Sequence, residues 1–135
     1  WNKAKQLLIK ILKKDPEDTY TLNYFAYSLA LRNEELDLAL NHIKKALSLD
    51  PKNGFFLDTL GWVEFKRENY MSSVFYLEKS IMILPRSSEV IDHLGDCYLM
   101  LGRTKEAVFE WKKALQYENN ITVINLIKDK LNKYE

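Results

Sequence analysis

The sequence predicts an all-α fold of stacked antiparallel helix pairs forming a superhelix. Two observations predict it: a self-similarity of 34 to 35 residues, and helix-period apolar patterning within each copy. Prolines recur at Pro16, Pro51 and Pro85, spaced 35 and 34 apart. Small residues keep the same register at Ala4, Ala39, Ser73 and Ala107. Phe25, Leu60 and Leu94 each lie nine residues beyond a proline, and each is followed by a small residue: Ala26, Gly61 and Gly95. One extra residue falls within Arg32-Asn33-Glu34-Glu35, a polar turn that tolerates insertion.

The elements follow in order. Residues 1–18 fit a second helix, over 1–14 with Ala4, Leu8 and Ile11 inward, and its own first helix is missing. Three full units follow at 19–53, 54–87 and 88–121, with first helices at 19–31, 54–67 and 88–101 and second helices at 36–49, 70–83 and 104–117. Asn33, Asn69 and Gly102 read as left-handed residues closing the first helices. Asn53 and Ser87 suit helix N-caps. Residues 122–135 hold a last amphipathic helix, 122–133, with Val123, Ile127 and Leu131 on one side, making about eight helices in one domain.

Helix axes approach to ~8 Å only where side chains are small. Ala26, Gly61 and Gly95 are therefore expected against Ala39, Ser73 and Ala107 of the partner helix, with Ile43, Leu77 and Trp111 filling the space between. Ala46, Ser80 and Ala114 are expected where the next pair docks. One pair buries too little apolar surface to stand alone, so pairs must stack.

Composition excludes several classes. Twenty basic and nineteen acidic residues leave a net charge of +1, which gives no field for nucleic acid or anionic lipid. Lys3, Lys5, Lys10, Lys13 and Lys14 make the first helix basic, but Asp15, Glu17 and Asp18 follow at once, and neither nucleic acid nor direct membrane contact is expected. The single cysteine, Cys97, permits no intrachain disulfide and is expected as a buried thiol. Because the chain opens at Trp1, it reads as a fragment.

Leu94-Gly95-x-x-Tyr98, followed by Ala107-x-x-x-Trp111-x-x-Ala114, closely resembles the tetratricopeptide repeat, a 34-residue helix pair. The middle unit keeps Leu60-Gly61 and Pro85 but carries Glu64 at the tyrosine position and Ser73 and Ser80 for alanines. The strings from Leu22 to Ser28, Asp58 to Trp62 and Asp92 to Asp96 also resemble the C-terminal repeats of bacterial members of this family, some of them envelope lipoproteins that act as adaptors. The resemblance implies a right-handed superhelix and leaves the compartment open between cytoplasm and the periplasmic side of a bacterial envelope.

The resemblance also implies a concave groove lined by repeat positions 2, 5, 9 and 12. Here these are Tyr20, Asn23, Tyr27 and Ala30; Phe55, Asp58, Trp62 and Phe65; Glu89, Asp92, Asp96 and Leu99. The expected partner-binding residues are Tyr20, Asn23, Tyr27, Phe55, Asp58, Trp62, Phe65, Asp92 and Asp96. Aromatics gather towards one end and acids towards the other, which suits a polypeptide segment with apolar and basic residues. The family's clamp for acidic chaperone tails needs Lys, Arg and Asn at positions 5 and 9, where this chain has Asn23 and Tyr27, Asp58 and Trp62, Asp92 and Asp96.

No motif for a nucleophile or a phosphate loop is present, so no catalytic residue, cofactor or metal is expected. Asp92 and Asp96 share a helix face, but His93 points about 100° away, and three converging ligands would need help from elsewhere. His42, among Asn41 and Lys44, is expected at the surface, and Lys44-Lys45 and Lys112-Lys113 on the convex side. The sequence thus predicts a non-catalytic scaffold or adaptor. Self-assembly through exposed ends, or a recruiting arm of a larger enzyme, are its alternatives.

Overall fold

The computed structural model describes all 135 residues as eight helices: α1 (Asn2–Lys14), α2 (Thr19–Leu31), α3 (Leu36–Leu49), α4 (Gly54–Lys66), α5 (Tyr70–Ile83), α6 (Ser88–Met100), α7 (Thr104–Leu115) and α8 (Ile121–Tyr134). Sequence neighbours pack antiparallel, as short connections require. Among the helices that begin each pair, α2 packs on α4 and α4 touches α6, whereas α3 and α5, or α5 and α7, make no comparable contact. First helices crowded together and second helices splayed apart produce curvature, with α2, α4 and α6 on the inner wall.

Helix starts alternate in kind. Asp18, Asn53, Ser87 and Asn120 each cap α2, α4, α6 and α8 by accepting backbone N–H bonds through the side chain. The helices α3, α5 and α7 have no such cap. By this criterion α8 begins like a first helix. The left-handed closing residues are Asn33 (φ 54°), Glu68 (φ 66°) and Gly102 (φ 75°), so the middle unit uses Glu68 rather than Asn69. Asn69 is instead the residue before α5, and its side chain donates to buried Glu64. Glu35 is also left-handed, at φ 42°, which is how the longer first unit absorbs its extra residue.

Two apolar clusters form the interior. Leu22, Phe25, Leu29, Ile43, Phe56 and Val63 anchor the first, and Leu77, Val90, Ile91, Trp111, Ile127 and Leu131 the second. The glycines of the repeat make room for the large residue of the partner helix rather than the small one. A Cβ on Gly61 would lie 2.6 Å from Leu77 Cγ, and one on Gly95 2.5 Å from Trp111 Nε1. The serines that replace alanines both donate across the α4–α5 pair: Ser73 Oγ to the Gly61 carbonyl at 2.6 Å, Ser80 Oγ to the Gly54 carbonyl at 2.7 Å. Ser80 therefore has a hydrogen-bonding role within its own pair.

Two surface expectations change. Ala4 is exposed, because no helix packs on that side of α1, and Leu8 alone in α1 is buried. His42 is half-buried against the ring of Phe25, 5.1 Å away, and burial followed by the charge of Lys45 pushes its pKa down. No helix is long and apolar enough to cross a membrane.

Candidate partner-binding groove

The inner wall divides into three zones. At its N-terminal end Tyr20, Tyr24 and Phe55 stand 75%, 58% and 64% exposed, a high value for rings this large. Beneath them lies a pocket of about 130 Å³ lined by Asn23, Tyr27, Asp58 and Glu89 among others. The Tyr27 hydroxyl donates to Glu89 Oε1, and burial together with that carboxylate raises the tyrosine's pKa. Asn23 Oδ1 is buried with no hydrogen-bond partner.

The middle zone is filled. Trp62 is 9% exposed and lies between two parallel rings, Phe65 at 4.5 Å and His93 at 4.0 Å. His93 Nδ1 lies 2.9 Å from Asp58 Oδ1, and both residues are buried. Burial by itself pushes His93 down, but the charge and hydrogen bond of Asp58, with Glu89 and Asp92, carry it above its ordinary value. Trp62 is thus a structural ring of the wall and not an open anchor. The sequence missed His93 because helical spacing aims it off the groove stripe. It meets Asp58 from the neighbouring unit, a pairing 35 residues apart.

The C-terminal zone is bridged from α8. Lys130 Nζ lies 2.8 Å from Asp92 Oδ1 and 2.9 Å from Asp96 Oδ1, while Trp111 Nε1 donates to Asp96 at 3.3 Å. Burial, then Asp92, raises Asp96 despite Lys130. Lys130 itself rises because the two carboxylates outweigh its own burial. The end of the groove that reads as acidic is therefore partly neutralised, one amine answering two carboxylates, and it borders a cavity of about 490 Å³ whose apolar lining includes Leu99, Val123, Leu126 and Trp111. Val123, Leu126, Lys130 and Lys133 lie 34 residues beyond Glu89, Asp92, Asp96 and Leu99, so α8 continues the groove register. Extending the repeat period by one more unit would have found them.

Asp58, Glu89 and His93 bring three potential ligand atoms within 4.8 Å of one another. The help that Asp92-His93-Asp96 lacked thus comes from other positions, but hydrogen bonds already account for this grouping: Asp58 with His93, Tyr27 with Glu89. Cys97 is buried with Sγ 3.0 Å from Ser73 Oγ. Since the serine hydrogen goes to Gly61, the thiol is the donor. On the outer side, Lys44 and Lys45 are exposed and Lys112 pairs with Glu135.

No protein-family model matches the chain. A TPR repeat-containing protein of Methanocaldococcus jannaschii is 30% identical over 95% of the chain, and one of Pseudomonas aeruginosa 29% identical over 64%. The chain spans only about a fifth of the former (22%) and 14% of the latter. Among solved structures, PilF of Pseudomonas aeruginosa is similar at TM-score 0.77 and 25% identity, over 98% of this chain and 60% of that one. MamA is similar at TM-score 0.73 and 19% identity, over 97% of this chain and 82% of that one. The Sgt2 TPR domain from Aspergillus fumigatus gives 0.75 and 18%, over 87% and 76% respectively. Repeats of this kind are generally non-catalytic scaffolds for protein–protein interaction. With a 34-residue helix pair repeated in register and the inner wall built from first helices, the chain is a tetratricopeptide-repeat protein.

Proposed function

We propose that the chain is a non-catalytic adaptor that holds an extended segment of another polypeptide along the wall formed by α2, α4, α6 and α8. The observation that carries this reading is the exposure of Tyr20, Tyr24 and Phe55 side by side on the concave wall. Large rings left in water cost free energy that a partner recovers by covering them, and aromatic residues dominate binding hot spots. The cavity beside Leu99, Val123 and Leu126 supplies a second, apolar anchor point further along the same wall. Asp92 and Asp96 contribute less charge there than their number suggests, because Lys130 answers part of it.

Selection of displayed random 12-residue peptides on the immobilised protein tests this directly. Enriched peptides should lose at least tenfold in affinity, ~1.4 kcal/mol, against Phe55→Ala. They should be unaffected by Lys44→Glu with Lys45→Glu on the convex face. Equal sensitivity to both changes, or enrichment of none, overturns the groove. Light scattering on the same samples reads the self-assembly alternative, for which Leu7 (58% exposed) on α1 is the exposed apolar edge.

A further inference from the structure

We infer that the pocket between α2, α4 and α6 is a socket for one arginine side chain of the bound segment, an inference that rests on the groove reading above. The pocket is side-chain sized, at about 130 Å³. Two of its lining groups have acceptor capacity to spare. Asn23 Oδ1 is buried and unpartnered, an arrangement that costs free energy in the empty state and is relieved by a donor. Glu89 is exposed and uses Oε1 for Tyr27, which leaves Oε2 for a second donor. Asp58 also lines the pocket, with its Oδ1 engaged by His93. No lysine or arginine lines this pocket, whereas the other acid pair of the wall, Asp92 and Asp96, already has Lys130.

Geometry selects the guanidinium among cations. Two acceptors on different helices, Asn23 on α2 and Glu89 on α6, ask for a head with divergent N–H groups. Arginine offers five in a plane and lysine three at a point. Tyr24 and Phe55 flank the mouth with exposed faces, on which a guanidinium stacks and an aliphatic stem packs. A divalent ion is the rival occupant, since Asp58, Glu89 and His93 approach one another. It would have to displace the proton shared between His93 and Asp58 and would leave Asn23 unanswered.

Amide NMR on the isotopically labelled chain tests the socket with N-acetylarginine amide, N-acetyllysine amide and N-acetylcitrulline amide as probes. The arginine probe should give saturable shifts at the Asn23 side-chain amide and at the backbone of Tyr24, Phe55 and Glu89. The lysine probe should bind at least fivefold more weakly, and citrulline, equal in shape but uncharged, should not saturate. Glu89→Gln and Asn23→Leu should each weaken the arginine probe fivefold or more while leaving the remaining spectrum in place. Equal response to lysine, saturation by citrulline, or shifts indifferent to both variants overturns the socket. So does tighter binding of zinc or magnesium chloride at Asp58, Glu89 and His93. The peptide selection separates this failure from that of the groove. Peptides sensitive to Phe55→Ala but without a preferred arginine reject the socket alone, and peptides insensitive to Phe55→Ala reject both.

Discussion

Lys130 and Asp96, one repeat period apart in sequence, occupy equivalent positions on α8 and α6 and meet as an ion pair at 2.9 Å. The same amine reaches Asp92, so one cation from the last helix answers two carboxylates that are each about four-fifths buried. The pairing joins α8 to the inner wall and reduces the negative charge at that end of the groove.

Removing the cation should therefore cost more than a surface ion pair would. Lys130→Met leaves Asp92 and Asp96 close together without a counter-charge, and a loss of about 1–3 kcal/mol is expected, below the 3–5 typical of a fully buried pair. Urea denaturation reads it. Adding Asp96→Asn to Lys130→Met should recover part of the loss, and strictly additive effects would show that the two residues are not coupled.

Alanine at Gly95 tests the close approach of α6 and α7. In an ordinary helix the change gains about 1 kcal/mol. Here the new Cβ meets the rigid indole of Trp111 at 2.5 Å, so a net loss of about 1–3 kcal/mol is expected in thermal melts. Gly61→Ala should cost less, because Leu77 can change rotamer where a ring cannot.

His93 makes stability depend on pH. Its folded pKa is raised, so its contribution is complete below the ordinary value of 6.5 and is lost as pH rises through the folded value. His42 is lowered and acts in the opposite sense, its contribution being present above 6.5 and lost on acidification. The stability gap between the wild type and His93→Gln should shrink from pH 5.5 to 8.5. A His42→Gln comparison should not shrink with it. Urea midpoints at both pH values provide the measurement, and a constant His93 gap would mean that Asp58 does not hold the imidazole as a cation.

Cys97 should be chemically silent in the folded chain. Burial pushes the thiol up to about 12. Labelling by an aromatic disulfide reagent at pH 8 should proceed at the rate of unfolding and accelerate with urea in parallel with it. Rapid labelling in native buffer would contradict the buried Ser73–Cys97 contact.

Much of this was legible in one dimension. The period, the helix pairs, the caps Asn53 and Ser87, and the burial of Cys97 follow from local spacing and the chemistry of single residues. Spacing also puts the residues from Tyr20 to Leu99 on shared helix faces, since residues three and four apart lie together whatever surrounds them, while the expectation that these faces turn inward came from the resemblance to the repeat family. Where the reading of the groove failed, the cause lay largely between units. Trp62 sits on the right face, yet His93 and Phe65 cover it.

The sequence by itself determined which helices form and how they pair, because these depend on periodicity and on contacts within 34 residues. Only the tertiary structure decided which groove residues remain open. Asp58 is taken by His93, Asp92 and Asp96 are taken by Lys130, and Asn23 and Glu89 are left with capacity to spare. The reason is geometric. Neutralising a charge requires an opposite group within a few ångströms, and the groups that do so here come from the next unit along the chain, whose distance is set by how the pairs stack.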